Sequence, residues 1–238
     1  MGKHDAGRTN SAEEAAERIL NPAADRFTGR KKRMNKAESN APACGCPVKA
    51  EENSKGKIII LSGPSGVGKN TVRKKLDYDA LNLVNSVSWT TRAPRAEDIE
   101  GVTYHFVTPQ KFEEAVEAGE FAEHAGFADH AYGTPKEQIE SNQKAGKNVM
   151  LEIEVQGAEQ LMEKYPEATT IFLVPPAIED LRMRLTGRGS EDEASIAARL
   201  KRAETEMNLA CKYKYVVVND DAQRAADEIA QIIRESAD

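Results

Sequence analysis

From residue 56 onward, short runs of apolar residues alternate with longer segments in which apolar residues recur at helical spacing. Because β-branched residues favour extended backbone, the short runs predict strands. The predicted strands span residues 57–61, 83–87, 102–107, 148–153, 170–174 and 215–218. The predicted helices span residues 68–76, 109–118, 135–144, 156–164, 178–185, 191–210 and 222–236. Strands that alternate with helices predict an α/β protein with a doubly wound sheet.

Two of the predicted strands are apolar at every position rather than at every second one. They contain the runs Val149-Met150-Leu151 and Ile171-Phe172-Leu173-Val174. Strands of this composition are buried on both faces, as happens when helices cover both sides of a parallel sheet. The pattern therefore predicts a covered parallel sheet within residues 56–238.

The first 55 residues differ from the rest of the chain, because they contain few large apolar residues with which to form a core. We expect an N-terminal extension at 1–55 that is disordered, with one short helix at 12–20, where Ser11 and Glu14 form a capping box. A basic cluster at 30–33 is more typical of a solvated charge run than of a targeting signal. Acidic residues throughout the extension argue against an organellar transit peptide.

Charge and composition exclude several classes of protein. The extension has 11 Lys/Arg and 8 Asp/Glu, and its net charge is therefore +3. Because the whole chain has a net charge of −6, the remaining 183 residues carry −9. An acidic domain is a poor partner for nucleic acid. No apolar run approaches the ~20 residues of a membrane span, and no secretory signal is present. The sequence predicts a cytoplasmic protein that binds neither nucleic acid nor membrane.

The three cysteines, Cys44, Cys46 and Cys211, are too few for a disulfide framework and favour reduced thiols. Cys44 and Cys46 lack a second pair of ligands at zinc-like spacing. Cys211 ends a predicted helix and is expected to be a buried small residue.

The segment 63–71 has the spacing of a phosphate-binding loop. Gly63, Gly68 and Lys69 fit the pattern G-x-x-x-x-G-K, and Asn70 occupies the position where Ser or Thr is expected. A predicted strand precedes the segment and a predicted helix follows it, which is the context that this motif requires. The backbone N–H groups of such a loop surround an anion, and its lysine reaches the β- and γ-phosphates. The sequence therefore predicts a nucleotide site.

A second polar cluster follows the predicted strand at 83–87. Arg92 and Arg95 lie three residues apart beside hydroxyl groups and a proline. Arginine forks hydrogen-bond phosphate at two points, and two arginines suit a dianionic monophosphate. The cluster also contains Ser88, and later segments add two phenols, a carboxylate and a hydroxyl as candidate ligands, namely Tyr104, Tyr132, Glu123 and Thr134.

These segments together resemble the guanylate kinases over nearly all of residues 56–238. The matching stretches, which occur in family order, are the phosphate loop, Ser88-x-Thr90-Thr91-Arg92-x-Pro94-Arg95, Gly119-Glu120-Phe121-x-Glu123, Tyr132-Gly133-Thr134, Leu151-Glu152-Ile153-Glu154-x-Gln156-Gly157, Arg184-Leu185-x-Gly187-Arg188-Gly189 and Val218-Asn219-Asp220-Asp221. The resemblance implies a P-loop doubly wound parallel sheet as the core. It also implies a small α+β subdomain for GMP at about 86–135 and a helical lid at about 184–199.

The resemblance implies that the protein transfers the γ-phosphoryl group of ATP to GMP with Mg²⁺, in purine nucleotide metabolism, as a monomer or homodimer. The residues implied for ATP are Gly63, Pro64, Ser65, Gly66, Val67, Gly68, Lys69, Asn70, Thr71 and Asn219. Those implied for the GMP phosphate are Arg92, Arg95, Tyr104 and Tyr132, and those for guanine are Ser88, Glu123, Thr134 and Glu154. The catalytic residues implied are Lys69, Arg92, Arg184, Arg188 and Arg199.

Two positions depart from the family pattern. Family members carry Ser after the loop lysine, whereas this chain has Asn70, whose amide oxygen remains a hard ligand for Mg²⁺ on a longer arm. Glu154 replaces the usual Asp and moves the carboxylate one methylene outward.

Two other functions stay open from the residues alone. Asn70 leaves room for a guanylate-kinase-like binding module with weakened catalysis, although the glycines, Lys69 and the arginines of the motifs are intact. A kinase for another monophosphate is the second alternative, against which Glu123 and Glu154 argue. Arg188 and Arg199 could also pair with surface acids at 191–193 instead of reaching a nucleotide.

Overall fold

The computed structural model describes residues 55–96, 98–127, 129–186 and 193–236. The chain divides into two units, Met1–Glu52 and Asn53–Asp238, and all described residues belong to the second unit. The predicted helix at 12–20, the basic cluster at 30–33 and the pair Cys44 and Cys46 lie outside the described residues.

Strands and helices alternate along the second unit. The strands are β1 (Ile58–Ser62), β2 (Leu83–Asn85), β3 (Trp89–Thr90), β4 (His105–Phe106), β5 (Phe121–Phe127), β6 (His130–Pro135), β7 (Asn148–Glu152), β8 (Thr169–Val174) and β9 (Tyr215–Val218). The helices are α1 (Lys69–Arg73), α2 (Pro109–Glu117), α3 (Lys136–Lys144), α4 (Val155–Lys164), α5 (Ile178–Thr186), α6 (Glu193–Met207) and α7 (Ala222–Glu235). A 3₁₀ helix, Asn208–Lys212, follows α6.

The larger sheet has five parallel strands in the order β2-β7-β1-β8-β9. Its central strand β1 is buried along its whole length, because a neighbouring strand lies on each side and the chain covers both faces. Apolar residues of α7 pack in the same core cluster as the strands, and Ile229 is fully buried there. The predicted α/β fold with a parallel core sheet is confirmed.

The smaller sheet has the order β4-β3-β6-β5 and mixes parallel and antiparallel pairs. The aromatic rings of Trp89 and Phe112 pack on Phe121 at centroid distances of 5.5 and 4.8 Å. This small cluster covers one face of the sheet and joins it to α2. Helix α2 begins where the side chain of Thr108 accepts a hydrogen bond from Lys111 N at 3.2 Å.

Several predicted boundaries were wrong. The strand predicted at 102–107 is only His105–Phe106, and the sequence did not predict β3, β5 or β6. The helix predicted at 68–76 ends at Arg73, and the helix predicted at 191–210 changes to 3₁₀ geometry after Met207. Cys211 is exposed rather than buried, because the 3₁₀ helix turns Ala210 and not Cys211 toward the core.

None of the helices in the described ranges is both long enough and apolar enough to cross a bilayer.

The central strand provides a direct test of the core. We expect Ile60→Ala to lower the free energy of unfolding by about 2–5 kcal/mol, because Ile60 is 0% exposed and its loss leaves a cavity. Urea unfolding measures the change. The matched control is Ile99→Ala, since Ile99 is 60% exposed, and it should change stability by less than about 0.5 kcal/mol. Equal effects for the two variants would contradict the buried position of β1.

Candidate active site

The phosphate-binding loop leaves the carboxyl end of β1 in a tight turn. Gly63 and Gly68 have φ angles of 146° and 99°, which residues with a Cβ atom rarely adopt. A Cβ on Gly63 would also lie 2.3 Å from the carbonyl oxygen of Leu173 on β8. The loop can therefore approach the neighbouring strand only because glycine stands at this position.

Lys69 is 8% exposed and its ammonium group lies inside the loop. The Nζ atom donates a hydrogen bond to the carbonyl oxygen of Gly63 at 2.6 Å and lies 3.4 Å from Oε1 of Glu154. Glu154 immediately precedes α4 as its N-cap residue. Lys69 therefore connects the phosphate loop directly to one of the two carboxylates that the resemblance assigns to guanine.

Asn70 is exposed next to Lys69, and its amide oxygen has a protein partner. Arg73 donates from Nη2 to Oδ1 of Asn70 at 2.9 Å and from Nε to Oε2 of Glu152 at 2.7 Å. Burial disfavours the charged form of Arg73, but the carboxylate of Glu152 and the hydroxyl of Tyr78 together more than compensate, so the pKa of Arg73 is raised. Arg73 was not predicted from the sequence, since its contact with Asn70 one turn away is visible only in the folded chain.

The back of the loop is held by Arg184 and Asn219. Arg184 donates to the carbonyl oxygens of Val67 and Asn219, each at 2.9 Å. The Asn219 side chain also donates to Val67 O at 2.7 Å and is buried. Two side chains from different elements thus meet on one loop carbonyl, which fixes the loop conformation.

Arg199 on α6 reaches the front of the loop, where Nη2 lies 2.9 Å from Oγ of Ser65. Two of the arginines that the resemblance assigns to the lid, Arg184 and Arg199, therefore contact the phosphate loop. Arg188, the third, lies outside the described residues.

Arg92 lies on the small-sheet side of the site and is oriented by Asp98. Its Nη2 donates to Oδ2 of Asp98 at 2.8 Å, and the guanidinium lies over the rings of Tyr104 and Phe106 at 5.6 and 5.8 Å. The same carboxylate oxygen accepts from the backbone N of Arg95 at 2.7 Å. Burial alone would raise the pKa of Asp98, but these hydrogen bonds and the charge of Arg92 lower it.

Asp98 is a functional residue that sequence reasoning missed. It lies three residues after Arg95, a spacing that could have indicated a carboxylate for orienting the arginine pair. The side chain of Arg95 itself is exposed.

Two phenols lie close to this arginine. The rings of Tyr104 and Tyr132 meet edge to face with centroids 5.8 Å apart. Burial, assisted by the negative charge of Glu152, raises the pKa of Tyr104 to about 12. Tyr104 therefore keeps its proton at neutral pH and can donate a hydrogen bond to an anion.

Glu123 presents a buried carboxylate from β5 and is 4% exposed. Its Oε1 accepts a hydrogen bond from the hydroxyl of Thr134 at 2.5 Å, and Ser88 Oγ lies 3.4 Å from the same hydroxyl. Burial raises the pKa of Glu123, although Thr134 and Lys164 oppose the shift. Ser88, Glu123 and Thr134, which were predicted as one guanine group, are therefore brought together.

Glu154 supplies a second acceptor. Its Oε2 is buried and accepts no hydrogen bond from the described part of the chain. Buried polar atoms normally have partners, so this oxygen is available to a donor on a bound molecule. The negative charge of Glu154 also makes a small contribution to the raised pKa of Tyr104.

A phosphate loop with its lysine lies beside a second carboxylate, Glu154, and beside a small-sheet region with an arginine, two phenols and the buried carboxylate of Glu123. This is the arrangement of a P-loop phosphotransferase for a small phosphorylated acceptor. The family model described as "Guanylate kinase" matches residues 55–236. The chain therefore belongs to the guanylate kinase family.

Individual relatives agree with this family. A guanylate kinase of Onion yellows phytoplasma (strain OY-M) is 53% identical over 184 residues, which cover 76% of this chain and 87% of the relative. One from Oceanobacillus iheyensis is 44% identical over 180 residues, with 76% and 87% covered. The crystal structure of guanylate kinase from Anaplasma phagocytophilum has a TM-score of 0.62 at 37% identity and covers 76% of this chain and 86% of that one.

The Arg92–Asp98 pair generates a prediction for stability. We expect Asp98→Asn to lower the free energy of unfolding at pH 7 by about 1–2 kcal/mol, since the Asp98 side chain is 7% exposed and bonds a charged partner. Because the pKa of Asp98 is lowered in the folded state, its contribution is complete above the ordinary carboxyl pKa of about 4 and is lost as the pH falls below it.

Urea unfolding of both proteins between pH 7 and pH 3 measures this difference, which should shrink toward the acid end. Asp79→Asn is the control, because Asp79 is exposed. A difference between Asp98→Asn and the original protein that stays constant across this range would contradict the role of the ionised carboxylate.

Proposed function

We infer that this protein is a guanylate kinase, which transfers the γ-phosphoryl group of ATP to GMP and produces ADP and GDP. The observation that carries this conclusion is the pair Glu123 and Glu154. The Glu123 carboxylate is buried and accepts a hydrogen bond from Thr134. Glu154 has a buried oxygen, Oε2, that accepts no hydrogen bond from the described residues, while its Oε1 lies 3.4 Å from Nζ of Lys69 in the phosphate loop.

Two carboxylates select guanine for a simple chemical reason. Guanine offers N1–H and an exocyclic NH₂ as donors, and ionised carboxylates only accept hydrogen bonds. Adenine has no N1–H and would leave a buried acceptor without a partner, which costs about 1–3 kcal/mol for each group. The burial of Glu123 makes this penalty effective, because water cannot replace the missing donor.

The acceptor phosphate fits the cluster around Arg92. Asp98 fixes one edge of the guanidinium, and the protonated phenol of Tyr104 lies under its plane. We propose that Arg92, Arg95, Tyr104 and Tyr132 bind the GMP phosphate. An arginine that is oriented in advance loses less side-chain entropy when the phosphate binds.

Phosphoryl transfer requires positioning and neutralisation of charge more than covalent help from the protein. We propose that Lys69 moves its hydrogen bond from the Gly63 carbonyl to the ATP phosphates, and that Arg199 and Arg188 neutralise charge on the transferring group. Arg184 contributes through the loop, because it holds the carbonyl oxygen of Val67. Asn219 holds the same carbonyl and borders the ATP site that the resemblance assigns to it.

Mg²⁺ is implied by the family and fits the residues beside the loop. Mg²⁺ prefers oxygen ligands and keeps several waters, so one protein oxygen together with the phosphates suffices. Asn70 supplies that oxygen in our proposal, although Arg73 also donates to it at 2.9 Å. When bound, the ion would neutralise negative charge on the phosphates during transfer.

The intact loop and arginines favour catalysis over a binding module. Gly63 and Gly68 adopt the positive φ angles of the loop, and Lys69 lies within it. We further propose that residues 1–55 are an extension to the kinase domain, with the GMP subdomain at about 86–135 and the lid at about 184–199. A cytoplasmic location and a monomeric or homodimeric state stay predictions.

A substrate panel tests the function. With ATP and Mg²⁺, we expect ADP release with GMP and dGMP, and at least about 100-fold lower kcat/KM with AMP, CMP and UMP, equivalent to roughly 2.7 kcal/mol. A coupled assay for ADP measures the rates. The variant Lys69→Met is the control, because it removes the loop ammonium. ADP release no faster with GMP than with water alone would favour a binding module.

Asn70 provides a separate test of the metal proposal. We expect Asn70→Ser to raise kcat, or to lower the Mg²⁺ concentration that gives half-maximal rate, by about threefold, which corresponds to a free-energy change below ~1 kcal/mol. The reason is that the serine hydroxyl, on a shorter side chain, would not be bonded to Arg73 as the amide oxygen of Asn70 is. Rates across a Mg²⁺ titration measure the effect. Asn70→Ala is the matched control, because it lacks any side-chain oxygen. Identical Mg²⁺ profiles for all three proteins would remove Asn70 from the metal site.

A further inference from the structure

One face of α4 fixes the backbone of β5 on both sides of Glu123. The side chain of Gln160 accepts from the backbone N of His124 at 3.3 Å and donates to its carbonyl oxygen at 2.8 Å. Lys164, one turn later on the same face, donates to the carbonyl oxygen of Ala122. The residues before and after Glu123 are therefore both bonded to one helix.

Gly157 lies on this face one turn before Gln160 and contacts the Glu123 side chain itself. A Cβ on Gly157 would lie 2.4 Å from Oε2 of Glu123 and 2.9 Å from its Cδ. Cβ atoms do not approach other heavy atoms below 3.0 Å without a shift. The carboxylate of Glu123 therefore occupies the space that any other residue at this position would fill.

The helix itself does not require a glycine at position 157. Gly157 is not among the glycines with positive φ, and it lies inside α4, where alanine is more stable than glycine. The backbone would therefore accept a side chain, and only the contact with Glu123 excludes one.

The first turn of α4 also determines the position of the second guanine carboxylate. Glu154 is the N-cap residue of α4 and lies three residues before Gly157. Residues at this spacing lie on the same side of a helix. The first turn of α4 therefore carries Glu154 at its start and the contact with Glu123 at Gly157.

We propose that Gly157 is a positioning residue for guanine selectivity. Because Gly157 has no side chain, the Glu123 carboxylate can lie against α4, at the depth where Glu123 and Glu154 bind one base together. The proposal rests on the inferred GMP kinase function. A methyl group at position 157 displaces Glu123 from the hydrogen bond with Thr134 and leaves the ATP site unchanged.

The primary test is Gly157→Ala. We expect the KM for GMP to rise about tenfold and the Kd for GMP, measured by calorimetry, to rise in parallel. The KM for ATP should stay within about twofold, and the thermal unfolding midpoint should not fall enough to account for the loss. Gly126→Ala is the matched control on β5, because a Cβ there meets no atom within 4 Å, and it should leave both KM values unchanged.

A second substitution separates positioning from general damage. Glu123→Asp shortens the side chain by one methylene and so draws the carboxylate away from the methyl group that Gly157→Ala introduces. Glu123→Asp also weakens GMP binding by itself. In the Glu123→Asp background, adding Gly157→Ala should therefore raise the KM for GMP by less than about twofold. A tenfold rise in both backgrounds would show independent effects and overturn the proposal.

These experiments distinguish a failure of the inferred GMP kinase function from a failure of the role proposed for Gly157. If the original protein does not phosphorylate GMP, the inferred function fails. If it does, and Gly157→Ala keeps the original KM and Kd for GMP, only the role of Gly157 fails. If Gly157→Ala does not fold, the same substitution in the Glu123→Asp background takes its place, because the shorter side chain draws the carboxylate away from the added methyl group. We expect this double variant to fold, and its failure to fold would overturn the proposal.

Discussion

The parallel pairing of β1 with β7 and β8 determines where the phosphate loop and the carboxylates at the end of β7 lie. Leu61 at the end of β1 is opposite Glu152 on β7 and Ile171 on β8. Because the carboxyl ends of parallel strands meet at one edge, the phosphate loop after β1 and the carboxylates at the end of β7 share that edge. Asn219 follows β9 at the same edge and reaches Val67 in the loop. A shift of one residue in this register would separate Lys69 from Glu154.

Two cations at this edge are paired with carboxylates of other elements, because Lys69 faces Glu154 and Arg73 faces Glu152. On the small-sheet side, Arg92 faces Asp98 within the single segment that connects β3 to β4. Each pair holds a cation in place before a phosphate arrives, so the anion meets groups that are already oriented. Water is removed from these charges when the chain folds, so the free energy of ligand binding does not include that cost again. Glu123 differs, because its partner is the neutral Thr134, and burial therefore raises its pKa.

The sequence predicted the larger sheet well and the smaller sheet poorly, for a physical reason. Strands β1, β7 and β8 are continuous apolar runs, because both faces are covered. Strands β5 and β6 carry His, Gly, Glu and Thr for the site, so neither alternation nor an apolar run marks them. The predicted ligands were motif residues. Arg73 and Gly157 could not be predicted as their partners, since each acts through a contact that only the folded chain creates. Asp98 differs, because its spacing from Arg95 could have indicated its role.

Asn70 shows why a departure from a motif must be interpreted with its neighbours. From the sequence, its amide is a longer replacement for a hydroxyl that faces Mg²⁺. In the folded chain the same oxygen accepts from Arg73, whose other edge binds Glu152. A metal ion that takes the oxygen of Asn70 must therefore compete with a guanidinium that Glu152 anchors, and repulsion between the two cations adds to that competition. If Asn70 holds Mg²⁺ as we propose, the ATP phosphates would reduce this repulsion, and we expect the ion to bind there together with the nucleotide and only weakly without it.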